Sequence, residues 1–150
     1  MRQVEDSLRR LDTDYIDLYQ IHHFDPLTSL EDTLRTLDNL VRSGKVRYIG
    51  FSNLSAWLIM KSLSISQLHN LEPFISVQSL YSIATRDIER EIVPLVKDQN
   101  LALLAWSPLA GGYLSGKFMR ERTTDPKARR AIFDFPPINK ERERSELSIA

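Results

Sequence analysis

An α/β fold of parallel strands is predicted by three observations. Strand-like apolar runs begin near Tyr15, Val46, Ile75 and Leu101. Helix-like runs fall between them, so a strand–helix unit recurs with a period of about 30 residues. The runs at 46–51 and 101–106 are short, mainly apolar and bounded by polar turns, the pattern of strands covered on both faces. A Rossmann-type open sheet shares that pattern, but no G-x-G-x-x-G follows any predicted strand, and residues able to carry chemistry follow four successive strands. Active sites of (β/α)8 barrels collect where the strands end. The expected architecture is therefore a partial TIM (β/α)8 barrel of about four strand–helix units.

The first helix between strands is well marked. Thr28 and Glu31 have capping-box spacing, Leu30, Leu34, Leu37 and Val41 form one apolar face, and Gly44 can close the C-terminus. Asp32, Arg35, Asp38 and Arg42 are expected on its exposed face. The second helix, 55–69, is expected to bury Leu58, Ile59 and Leu63, and Pro73 bars its extension. In the third, Ile88, Ile92, Leu95 and Val96 share a side, and Pro94 predicts a kink or a late start. Residues 120–130 are charged and read as a surface loop. The run 131–137 then restores an apolar anchor, which makes the loop an excursion within one domain, 1–150.

At 150 residues the chain suits one domain, yet a complete barrel takes about 250 residues and rarely fewer than about 200. The chain is accordingly expected to be a fragment, opening in one helix (Val4, Leu8, Leu11) and closing in another (140–147). Cutting a closed barrel exposes strand edges and interior side chains, so self-association of the half-barrel is expected. Twenty basic residues balance twenty acidic ones, leaving no large net field to recruit nucleic acid or an anionic membrane. The expected partner is a small molecule. The absence of cysteine excludes a disulfide framework, thiolate-ligated zinc and a cysteine nucleophile. No apolar stretch approaches the ~18 residues of a membrane span, and the first residues carry no signal core. A soluble, cytoplasmic protein is expected.

Four elements could carry chemistry. The run Asp14-Tyr15-Ile16-Asp17-Leu18-Tyr19-Gln20-Ile21-His22 delivers a histidine at a strand tip. Gly50-Phe51-Ser52-Asn53 follows the second strand, where Ser-Asn can equally be an ordinary helix N-cap. The third strand ends in Val77-Gln78-Ser79-Leu80-Tyr81-Ser82, with Gln78 the polar candidate and Tyr81 a packing residue. The fourth leads into Trp106-Ser107-Pro108-Leu109-Ala110-Gly111-Gly112-Tyr113-Leu114-Ser115-Gly116-Lys117-Phe118. There the tryptophan is a stacking surface or a core residue, and the glycine turn admits close approach of an anion or is a plain turn. His23 with Asp25 is not read as a metal pair, because adjacent histidines in an extended segment point to opposite sides. No metal is assigned. Arg129 and Arg130 could reach a phosphate, and Tyr15, Tyr19 and Tyr48 are read as packing residues.

In this order the four elements resemble the aldo-keto reductases, with the last resembling the branch that includes the potassium-channel β-subunits. The resemblance covers about residues 1–140 and implies the fourth to seventh units of the barrel. It implies that His22, rather than His23, is the active-site histidine orienting a substrate carbonyl. Ser52, Asn53 and Gln78 would hold the carboxamide of a nicotinamide, whose carbonyl acceptor and amide donor suit a hydroxyl and side-chain amides. Trp106 would stack on the ring. Ser107, Pro108, Leu109, Ala110 and Gly112 would approach the pyrophosphate, with Lys117 adding a point charge. The implied activity is NADPH-dependent reduction of aldehydes and ketones, with the family's Asp, Tyr and Lys supplied by earlier strands, so this chain alone is expected to be inactive. Alternative readings are a nucleotide-binding regulatory module like a channel β-subunit, or a truncated fragment without function.

Overall fold

The computed structural model describes residues 2–115. In chain order these form α1 (Arg2–Leu11), β1 (Ile16–Ile21), α2 (Leu30–Arg42), β2 (Val46–Ser52), α3 (Ala56–His69), β3 (Phe74–Leu80), α4 (Ile92–Asp98) and β4 (Ala102–Trp106). The strands make one sheet in the order β1-β2-β3-β4, and β1 with β2, like β2 with β3, runs parallel. Strands in chain order with a helix between each pair are what consecutive units of a (β/α)8 barrel provide. The expectations for 120–130, 131–137 and 140–147 lie outside the described residues. The described residues form two compact units: 2–79 with Glu89–Leu104, and Leu80–Ile88 with 105–115.

Local sequence sets the helix ends, with two corrections. α2 is capped one residue later than expected: Ser29 Oγ accepts from the Asp32 N–H, and Thr28 is drawn instead to Asp25, donating to Oδ2 at 2.6 Å. Gly44 closes the helix in the left-handed region, φ 75°, its N–H reaching the Val41 carbonyl at 2.9 Å. Leu34, Leu37 and Leu40 form the buried stripe. Asp38, expected on the exposed face, is buried, because one helical turn on Arg42 bonds its carboxylate and the chain before β3 folds onto it. α3 buries Leu58 and Ile59. α4 starts late, which places Pro94 in its first turn, where a missing N–H loses no helical bond.

Register sorts the sheet into two faces. Tyr19 pairs with Ile49, and Ile21 with Phe51, which pairs with Val77. Ile49, Phe51 and Val77 are at most 1 % exposed, each contributing about 1.5–3 kcal/mol by burial. Phe51 also stacks on Phe74 with ring centroids 3.4 Å apart. The opposite face carries Leu18 beside Tyr48, Gln20 beside Gly50 and Ser76, and Ser52 beside Gln78. It is largely polar. The expectation that β2 and β4 are covered on both faces does not hold among the described residues: Tyr48 is 50 % exposed, and Ala102 and Ala105 are exposed. Tyr15 is likewise partly open, under the Arg47 guanidinium at 3.9 Å.

Candidate functional site

The carboxyl ends of β2 and β3 carry a hydrogen-bonded polar cluster. Ser52, the last residue of β2, is buried. Asn53 turns into the left-handed region at φ 56°, which asparagine adopts more readily than most residues. From there its Nδ2 donates to Ser52 Oγ at 3.0 Å, and its backbone N–H donates to the Gln78 carbonyl at 2.9 Å. The alternative in which Ser52 and Asn53 merely cap a helix fails, because the residue preceding α3 is Ser55. Gln78 is half-buried, and its Oε1 accepts from Gln20 Nε2 at 2.7 Å. Ser52, Asn53 and Gln78 are thus brought together as one group.

His22 follows the last residue of β1, and its parallel neighbour β2 ends in Ser52, so the histidine leaves the sheet at the cluster's end. Its side chain is exposed. The His22 and His23 rings meet edge-on, centroids 4.1 Å apart at 63°, so they do not point to opposite sides. The extended alternation has already ended, with a bend at His23. Asp25 is engaged locally, accepting from Thr28 Oγ1 and, at 2.9 Å, from the Leu27 N–H. These bonds hold its carboxyl below the usual carboxylate range. A cleft of about 840 Å³ runs along this segment, lined by Gln20, His22, His23 and Asp25 on one side and by Thr33, Thr36 and Leu37 of α2 on the other.

In the second unit, Trp106 ends β4, and its carbonyl accepts from the Tyr81 N–H at 3.3 Å. The following turn is built from positive φ angles at Ser107 (56°), Ala110 (49°), Gly111 (67°) and Gly112 (96°). Its N–H groups are engaged internally: Ala110 donates to the Ser107 carbonyl at 2.8 Å, Gly111 to Ser107 Oγ at 2.9 Å, and Gly112 to the Leu109 carbonyl at 2.9 Å. Ala110 and Tyr113 are buried with Ala84, and Leu114 packs against them, while Pro108 and Leu109 are exposed. Nothing lies within 4 Å of where a Gly112 Cβ would stand, so φ, not crowding, requires that glycine. Lys117, Arg129 and Arg130 lie outside the described residues.

Three residues of the cluster were not singled out from sequence: Gln20, Gly50 and Ser76. An amide in the strand two residues before His22, on the same strand face as Leu18, was the available signal for the first. Gln20 Oε1 and Ser76 Oγ are buried without a hydrogen-bond partner. A Cβ on Gly50 would stand 2.4 Å from Ser76 Oγ and 3.2 Å from Gln20 Cγ, so this glycine is required by close approach.

The family model described as "Aldo/keto reductase family" matches residues 1–146. An "Uncharacterized oxidoreductase YrpG" of Bacillus subtilis is 40% identical over 130 residues, covering 87% of this chain and 40% of that protein. Norsolorinic acid reductase of Aspergillus flavus is 41% identical over 109 residues, 73% of this chain and 28% of its own length. Among solved structures, the thermostable aldo-keto reductase Tm1743, crystallised with the inhibitor epalrestat, aligns with a TM-score of 0.67 at 42% identity, covering 72% of this chain and 38% of that one. The chain therefore spans less than half the length of each of these relatives.

Proposed function

The chain belongs to the aldo/keto reductase family, and from that premise we propose that it is the nicotinamide-binding part of an NADPH-dependent reductase of aldehydes and ketones. The observation that carries this reading is the Ser52–Asn53–Gln78 cluster at the ends of adjacent parallel strands: the Asn53 carboxamide bonds the Ser52 hydroxyl, the Asn53 backbone N–H bonds the Gln78 backbone carbonyl, and the Gln78 carboxamide is held by Gln20. A planar carboxamide ligand has one acceptor oxygen and one donor nitrogen, and this donor set matches both. NADPH, when bound, supplies the hydride.

The chain's own residues have separable tasks. Ser52 and Asn53 offer a hydroxyl and an amide to the carboxamide, and Gln78 a second amide. Trp106 supplies a flat apolar surface for the ring. His22, exposed at the tip of β1, has a ring N–H with which to hold a carbonyl oxygen. Anchoring a pyrophosphate on Ser107, Pro108, Leu109, Ala110 and Gly112 requires the turn to share the N–H groups that Ser107 and Leu109 now occupy. Lys117 adds charge in the same stretch of sequence. A relative named norsolorinic acid reductase supports a small carbonyl compound as the substrate class.

Titration of residues 1–150 with NADPH, followed by tryptophan fluorescence, tests the proposal. Saturable quenching is expected, weakened about three- to tenfold by Ser52→Ala or Gln78→Ala, the worth of one hydrogen bond. Absence of saturable binding, or variants that bind as tightly as the parent, overturns it.

A further inference from the structure

Gln20 and Gln78 are not on neighbouring strands. Gln20 belongs to β1 and Gln78 to β3, with β2 between them, a separation of about 10 Å between strand axes. Their side chains nevertheless meet, Gln20 Nε2 donating to Gln78 Oε1 at 2.7 Å. The crossing is possible because the β2 residue in register with Gln20 is Gly50. A methyl group there would press on Gln20 Cγ at 3.2 Å and on Oε1 at 3.3 Å. The glycine opens the lane through which the amide reaches.

In this arrangement the bond turns Gln78 Oε1 toward Gln20, whose own Oε1 stays buried without a partner. With Oε1 turned to Gln20, what Gln78 presents outward is its Nε2, a donor only. We infer that Gln20 is a positioning residue that orients Gln78 as a hydrogen-bond donor to the carbonyl oxygen of the cofactor's carboxamide. This rests on the cofactor reading of Gln78 given above. The other polarity, acceptance of the ligand's amide N–H, then falls to Ser52 and Asn53.

The test has one arm without cofactor and one with it. In the labelled chain of residues 1–150, a nuclear Overhauser contact between the Gln20 side-chain amide protons and the Gln78 side chain is expected. Its absence overturns the proposal without any substitution being needed. The second arm compares affinity for NADPH with affinity for the reduced 3-acetylpyridine analogue, which keeps the carbonyl and lacks the amide N–H. Gln20→Glu leaves only acceptors at position 20, so Gln78 turns its Nε2 inward and presents oxygen. The analogue should then lose about three- to tenfold relative to NADPH, compared with the ratio for the parent. Gln20→Leu should weaken both without that bias. A purely structural link between strands changes both affinities together, so an unchanged ratio in Gln20→Glu overturns the proposal. Observation of the amide contact in a parent chain that binds neither nucleotide refutes the cofactor reading, and the positioning role with it, while leaving the bond between the glutamines intact.

Discussion

The carboxylate of Asp38, on α2, accepts the backbone N–H of Glu72 at 2.9 Å and so ties the helix to the segment entering β3. Its other oxygen takes the Arg42 Nε at 2.6 Å. Burial pushes the Asp38 pKa up, but the Arg42 bond and the Glu72 N–H together outweigh it, and the net shift is downward. The unfolded chain therefore binds this proton more readily than the folded one. The contribution is fully present above the ordinary Asp pKa of about 3.9 and is lost as pH falls through the lower folded value. Urea unfolding measured from pH 6 downward should show an acid-side loss of stability that flattens in Asp38→Asn. Asp38→Ala should cost about 1–3 kcal/mol at neutral pH, because the half-buried Glu72 N–H is left without its partner.

A second prediction concerns Gly50. Gly50→Ala puts a methyl carbon 2.4 Å from Ser76 Oγ, and relieving that overlap should cost about 1–3 kcal/mol in thermal or urea unfolding. Removing the obstructing hydroxyl should restore most of the loss, so Gly50→Ala with Ser76→Ala is expected to be more stable than Gly50→Ala alone. Additive losses in the pair would show that the contact is not what makes glycine necessary.

The order and type of the elements were legible because apolar periodicity changes between strand and helix, and because Gly44 and Pro94 act where backbone geometry gives them one use. Asp38 was misread for a physical reason. Helical spacing places it among charged neighbours, and only the tertiary approach of Glu72 buries it. The histidine pair was misread because alternation was carried past the end of β1, where a bend brings the rings together. Ser52, Asn53 and Gln78 were legible through motif resemblance and strand order. Gln20 was not, since its partner lies two strands away and 58 residues along the chain.

Residues 1–150 alone are expected to show no measurable carbonyl reduction with NADPH and an activated aromatic aldehyde. A positioned general acid is worth roughly 10²- to 10⁴-fold, and no residue of the cluster described above is assigned as proton donor. Steady-state absorbance of the reduced nicotinamide provides the assay. Turnover that disappears in His22→Ala would refute the prediction and make the histidine itself the proton donor.

Asn53 allows its backbone role to be separated from its side-chain role. At φ 56° an alanine carries the left-handed penalty of roughly 1–2 kcal/mol, which glycine escapes. Both substitutions delete the amide that bonds Ser52 Oγ, and both keep the N–H that reaches the Gln78 carbonyl. Asn53→Ala should therefore unfold at a lower urea concentration than Asn53→Gly, while the two lose the same affinity for NADPH, about three- to tenfold. Equal stabilities would mean that the turn relaxes to accept alanine. Affinity that follows stability, rather than loss of the amide, would mean that Asn53 shapes the end of β2 without touching the cofactor.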